Sequence, residues 1–227
     1  MISKKELFRL RQIQRKIASQ VTVDDSIKFD DIKTVAGFDV IATGDLFACA
    51  AAVVDLKTLR LIESAHSSAK APMQYIPTLL AFREGPIIME TYEKLKNKPD
   101  ALMIKGHGML HPYLAGLATY IGVSLDKPAV GVAKSLICGE KRGNRIFVNG
   151  KEAGAELVTR KFAKPIFIST GNKLPLDVCV EIIKATIVEG HKFPEPIHLA
   201  HKLGNRVKKQ LKAGSGKNSA DEESTEE

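Results

Sequence analysis

Apolar residues recur along this chain with two different periods. Over residues 4 to 19, Leu7, Leu10, Ile13 and Ile17 return at helical spacing and predict an amphipathic helix. Residues 33–41, 46–55 and 58–66 are instead continuous or alternating runs of small and β-branched residues, which predict three strands. The short link around Lys57 and Thr58 makes them an antiparallel meander. Helical periodicity resumes over 76–98, interrupted by Gly85 and Pro86, which should kink that helix or split it. A short buried strand (101–104), a helix of small residues (112–125) and a second buried strand (128–134) follow. Residues 140–164 are charged and hairpin-like, with Asn149-Gly150 as a turn. A strand (164–170) and helices over 174–190 and 194–211 complete the pattern. A meander followed by alternating strands and helices predicts an α/β fold, with a mixed sheet flanked by helices.

Composition changes this picture at the C-terminus. Beyond residue 212 the chain is Gly, Ser, Lys and acid, which predicts one domain over 1–212 and a disordered acidic tail over 213–227. The tail also hides the charge of the body. The chain carries +8 overall, and residues 218–227 hold five acids and no base; the remaining 34 bases face 21 acids, a net of +13. A body that basic suits a polyanion, although a solvated basic surface has the same composition. No apolar run is long enough to span a membrane. Three scattered cysteines, Cys49, Cys138 and Cys179, make no disulfide framework and suit a reducing cytoplasm. His107 and His111 are four residues apart but lie in a glycine-bounded stretch that predicts no helix, and His191, His198 and His201 match neither HxxxH nor HExxH, so the sequence carries no strong zinc signal.

Several residues break the local pattern. Asp39 sits inside an apolar strand, where an ionised carboxylate needs a partner or a cation. Glu84 lies within the stripe made by Leu80, Ile87, Ile88, Thr91 and Leu95. Two inward carboxylates suit a hard divalent cation, and equally two buried ion pairs. Lys134 ends a strand at the sheet edge where α/β folds place ligands, as a phosphate contact or as an ordinary strand-end lysine. Tyr75, in Gln74–Pro77, is placed either to wedge beside a base or to pack at a helix start. His201 lies off the apolar stripe of Leu199, Leu203 and Val207 and so faces solvent or a cleft.

The stretches "VAGFDV", "YIPTLLAFREGP", "KPDALMIKGHGMLHP", "PAVGVAKSLICG" and "PEPIHLAHKL" together resemble the endonuclease V family, in family order, over most of residues 35 to 203. The resemblance implies a ribonuclease H-like sheet with Mg2+ (or Mn2+) carboxylates at its centre. It implies a DNA-repair endonuclease, monomeric, acting on DNA, with RNA as the alternative, near a deaminated base such as inosine. Such an enzyme cleaves the second phosphodiester on the 3′ side and leaves a 3′-hydroxyl. Carried across by residue, Asp39 and Glu84 match the family's metal-binding carboxylates. Lys134 and His201 match its active-site lysine and histidine. Tyr75, with Ile76 and Pro77, matches the strand-separating wedge, and Gly106, Gly108 and His111 match the substrate-binding GxGxxHP block.

The chain departs from the family at two places. Lys105 stands where the third carboxylate of the metal centre belongs, which changes the formal charge of the three positions from −3 to −1. In "STGNK" (169–173) an asparagine follows the glycine where family members often have a histidine. The first departure leaves two readings of function open: a nuclease whose metal binding is weakened or lost, and a non-catalytic binder of damaged or structured nucleic acid. A third reading, from the acidic tail alone, is a protein-interaction scaffold. The expected geometry is an ion pair between the Lys105 ammonium and Asp39 or Glu84.

Overall fold

The computed structural model describes residues 2–160 and 162–221. A first helix, α1 (Lys4–Gln20), is capped by the Ser3 hydroxyl, which accepts from the Glu6 amide at 3.1 Å. The meander follows as β1 (Thr34–Thr43), β2 (Leu46–Asp55) and β3 (Leu61–Lys70). Then come α2 (Leu80–Glu93), β4 (Ala101–Ile104), α3 (Leu117–Ser124) and β5 (Ala129–Ala133). Three strands, β6 (Glu140–Arg142), β7 (Arg145–Val148) and β8 (Lys151–Leu157), precede β9 (Ile166–Asn172), α4 (Leu176–Ala185) and α5 (Glu195–Asp221). All nine strands form one sheet in the order β3-β2-β1-β4-β5-β9-β8-β7-β6. β4 runs parallel to β1 and β5, and the other neighbours are antiparallel. The mixed sheet of the sequence reading is therefore present. Among the described residues no helix is long and apolar enough to cross a membrane.

Several boundaries differ from the sequence pattern, each for a local reason. α2 begins at Leu80 rather than at Ile76, because Thr78 has φ +67°, outside the helical region. Gly85 and Pro86 do not split α2; a Cβ at Gly85 would meet the Tyr120 ring at 2.6 Å, so the glycine is where α3 packs. α3 begins at Leu117, since Pro112 and the positive φ of Leu114 hold the preceding residues in turns. β3 starts later than expected because Asp55 caps a turn through the Thr58 amide and hydroxyl, both at 2.7 Å. The Asn149-Gly150 turn is where the sequence put it, with both residues at positive φ between β7 and β8. α5 continues past Leu211 to Asp221, and residues 222–227 of the expected acidic tail lie outside the described residues.

The two sheet faces bury two cores. Ala36 and Phe38 point to the face covered by α2 and α3; Val35, Met103, Val130 and Val132 point to the face covered by α4 and the start of α5. Strand alternation puts Gly37 and Asp39 on the α5 face. α5 approaches β1 so closely that a Cβ at Gly37 would lie 2.2–2.5 Å from the backbone of Pro196 and Ile197. Gly37→Ala cannot be accommodated by a side-chain rotation. It is expected to cost about 2–3 kcal/mol, at the upper end for overpacking, and to lift α5 off the sheet. A urea melt matching the unsubstituted protein would show that α5 is not held this tightly.

Candidate active site

The site grows from the point where β4 stops. Parallel register pairs Phe38 of β1 with Ile104, the last residue of β4, and the Lys105 amide still donates to the Phe38 carbonyl at 3.1 Å. β1 runs on to Thr43 against β2, but on its other side the sheet has a notch. Asp39 and Lys105 are the next pair in register, so their side chains emerge side by side on the α5 face. The Lys105 ammonium lies 2.8 Å from Asp39 Oδ2. The expected ion pair is made, and its acceptor is Asp39.

α5 supplies the third group. His201 Nδ1 lies 2.6 Å from the same Asp39 oxygen, and Asn205, one turn on, places its amide nitrogen 3.0 Å from His201 Nε2. With Asn205 donating to Nε2, the imidazole carries its proton on Nδ1 and gives it to Asp39. Asp39 is 3% exposed, whereas His201 and Lys105 reach the surface. His201, left between solvent and a cleft by its helical position, faces the cleft.

Glu84 reaches the notch from α2, on the opposite face. Its carboxyl is pushed up to about 7, chiefly by burial and then by the charge of Asp39, with Arg83 and Lys105 pulling the other way. It makes no side-chain hydrogen bond among the described residues. The thiol of Cys49 nearby is pushed up to about 12 by burial, and Asp39 and Glu84 add to this. A folded-state pKa raised above the unfolded value of 4.5 has a definite sign: the native state holds the extra proton. Without metal, the contribution of Glu84 is greatest below about pH 4.5 and is lost as pH rises through about 7. Glu84→Gln is therefore expected to stabilise the metal-free protein by about 2–3 kcal/mol at pH 8 and by nothing near pH 4.5. Paired urea melts check this, since the difference between the two proteins cancels other titrations such as that of His111. Equal differences at both pH values would contradict it.

Lys105 and His201 form part of the wall of a cavity of about 760 Å³. Tyr75, Pro77, Gly106, His111 and Lys134 also line it, while Asp39 and Glu84 lie behind the wall. Its cations are Lys105, Lys134 and Lys192, and no lining residue is an acid. Ile76 and Gly108, expected with the substrate-binding residues, do not line it. Gly108 instead packs on β9: a Cβ there would meet the Thr170 carbonyl at 2.2 Å, and its amide donates to Ser169 Oγ. A smaller groove continues from the cavity along α5, lined by His198, His201, Lys202, Asn205, Arg206 and Lys209.

His111 serves the loop that carries Tyr75. Its Nδ1 accepts from the Tyr113 amide at 3.2 Å, so Nε2 bears the proton and donates to the Thr78 carbonyl at 3.1 Å. Burial pulls its pKa down to about 4, which keeps the ring neutral. Gln14 of α1 donates to the same carbonyl and Arg11 to the Thr78 hydroxyl, both at 2.7 Å. Three side chains thus pin Thr78 in its left-handed conformation, and Tyr75 stands out from the loop, 64% exposed. The departure at Asn172 has a packing explanation. Its side chain is buried, donates to the Gly122 carbonyl and accepts from the Thr22 amide.

Asp39 and Glu84 are the carboxylates at the notch, and the Lys105 ammonium stands beside them. Mg2+ can be held through one or two carboxylates with water completing its shell, so the carboxylates suit it and Lys105 opposes it.

The sequence profile described as Endonuclease V matches residues 15–202. The chain is 33% identical to endonuclease V of Dictyoglomus turgidum, over 89% of this chain and 94% of the relative. It is 37% identical to that of Thermofilum pendens, over 86% of each. The crystal structure of the Bacillus subtilis enzyme superposes with a TM-score of 0.82 at 29% identity, covering 94% of this chain and 95% of the other. Endonuclease V of Ciona intestinalis, solved with DNA containing an inosine followed by a ribo-adenosine, shares the fold at a TM-score of 0.83 and 23% identity, over 92% and 100%. The ribonuclease H-like sheet and this similarity along nearly the whole chain lead to one conclusion: the chain belongs to the endonuclease V family.

Proposed function

We propose that this endonuclease V-type nuclease hydrolyses a phosphodiester 3′ to a deaminated base such as inosine, in DNA or RNA, with a requirement for divalent metal altered by Lys105. The observation that carries the reading is the acid-free, lysine-lined cavity whose wall is bonded to the buried Asp39. A cavity of one charge sign concentrates a phosphate backbone, and the basic face of α5 extends it. Asp39 and Glu84 would hold Mg2+ or Mn2+. When bound, the metal polarises the phosphate and lowers the pKa of a water. His201 keeps its Nδ1 proton on Asp39 and offers Nε2, released from Asn205, as a proton acceptor. Lys134 neutralises phosphate at the cavity wall. Free thiols at Cys49, Cys138 and Cys179 accord with a cytoplasmic setting.

Tyr75 acts as the wedge in this reading. Tyr75→Ala is expected to lower the preference for an inosine-containing duplex over an unmodified one about tenfold, because stacking on a base contributes about 1–3 kcal/mol. Non-specific binding should hardly change. Competition binding in EDTA measures both, and equal weakening on the two duplexes would assign Tyr75 to packing.

A specific observation also favours a non-catalytic binder: the Lys105 ammonium already neutralises Asp39 without metal. Incubation of the full chain with inosine-containing DNA and RNA, in Mg2+ and in Mn2+, separates the readings. The nuclease reading predicts nicks that leave 3′-hydroxyl ends, with Mn2+ more effective than Mg2+. Salt-dependent binding with no cleavage in either metal would establish the binder instead.

A further inference from the structure

We propose that His191, Glu195 and His198 form a site for a borderline divalent cation of the Zn2+ class, separate from Asp39 and Glu84. One ligand atom from each of the three lies within 4.8 Å of the other two. His191 Nδ1 is 2.8 Å from Glu195 Oε2, and the imidazoles of His191 and His198 stack with centroids 3.8 Å apart and planes 19° from parallel. All three residues are half-buried.

The backbone holds these groups together from two elements. His191 follows Gly190 in the turn between α4 and α5, its amide donating to the Val188 carbonyl at 3.0 Å. Glu195 and His198 are three residues apart at the start of α5 and so share one face of the helix. The Glu195 amide donates to the Thr186 carbonyl at 2.7 Å, which ties the start of α5 to the end of α4. A cation bound here would join the turn to the helix that carries His201.

The donor chemistry selects the ion. Two imidazoles and one carboxylate favour Zn2+ and its neighbours over Mg2+, which prefers oxygen and water. Ligand bonds of about 2.0–2.2 Å require the donor atoms to draw somewhat closer than they now stand. Rotation of the half-buried imidazoles about their side-chain bonds supplies that movement, with the His191–Glu195 hydrogen bond exchanged for coordination. Three protein ligands leave a further position free. His198 also lines the main cavity beside His201, so the cation would add positive charge to a wall that lacks acids.

The test is a Zn2+ titration of the untagged, metal-stripped full-length chain by calorimetry in excess Mg2+, with Co2+ absorption as a second readout. The chain as it stands is expected to bind one Zn2+ and to melt several degrees higher with it. His191→Asn and His198→Asn should each weaken binding at least tenfold and abolish the thermal shift. Glu195→Gln should weaken it less, and Asp39→Asn should leave it unchanged. Circular dichroism of each variant confirms that it is folded, and the two histidine variants provide independent checks. Absence of saturable Zn2+ binding, binding indifferent to both histidine substitutions, or binding lost in Asp39→Asn would each overturn the proposal. The first outcome would leave His191–Glu195 as a hydrogen-bonded pair only.

Discussion

Lys105→Asp is expected to raise nicking of an inosine-containing duplex in Mg2+ at least tenfold and, in the same protein, to lower metal-free stability. Both effects have one origin. The ammonium at the end of β4 lies 2.8 Å from Asp39 Oδ2, where it would oppose a metal by charge and supply no oxygen. An aspartate in that seat adds a third carboxylate to Asp39 and Glu84. With metal present, the three share its charge. Without metal, three carboxylates face one notch and the ion pair is gone. Breaking a fully buried pair costs about 3–5 kcal/mol. Lys105 is 29% exposed, so a loss of about 2 kcal/mol is expected, or a melting temperature lower by about 4–8 °C. Added Mg2+ should restore more stability to Lys105→Asp than to the unsubstituted chain, because only binding to the native state stabilises. Thermal melts with and without Mg2+ check the stability half independently of activity. A Lys105→Asp protein that melts higher without metal would show that the ammonium does not relieve the carboxylates.

Asp39→Asn is expected to remove cleavage altogether, by a factor of at least ~100 in any metal, because a neutral amide replaces the carboxylate on which the site converges. The amide oxygen can still accept from Lys105 and His201, but the ion pair with Lys105 is lost and the hydrogen bond from His201 becomes an ordinary one. The expected loss of stability is about 1–3 kcal/mol. Binding of nucleic acid in EDTA should persist, since Asp39 lies behind the cavity wall and the lysines that line it are untouched. Gel-based nicking and binding assays on the same preparation separate the two. Residual cleavage within tenfold of the unsubstituted chain would exclude Asp39 as a metal-binding carboxylate.

The sequence showed the sheet clearly and the helix starts poorly, for a physical reason. Strand runs such as 46–55 are buried on both faces, so their apolar continuity is unambiguous. α2 and α3 begin where Thr78 and Leu114 take positive φ, and neither residue type announces that conformation. Asp39 and Glu84 stood out because carboxylates interrupt apolar patterns. The Asp39–Lys105 pair needed strand register as well, which depends on the parallel pairing of β1 with β4. Asn205 was missed although it lies one turn beyond His201, because a polar residue on a polar helix face carries no signal of its own. The closeness of His191 to His198 was missed for a related reason. Motif spacing registers ligands within one element, and these come from a turn and a helix.

In the proposed nuclease, Lys105 occupies the third seat of the metal centre and suppresses catalysis through it. The most direct measurement is single-turnover nicking of a duplex with one inosine, by the unsubstituted chain and Lys105→Asp in parallel, across a Mg2+ series from micromolar to millimolar. Weak or absent nicking by the unsubstituted chain throughout, partial recovery in Mn2+, and strong nicking by Lys105→Asp that saturates at lower Mg2+ are expected. Robust nicking by the unsubstituted chain at low millimolar Mg2+, abolished by Lys105→Asp, would contradict it and make Lys105 a catalytic residue.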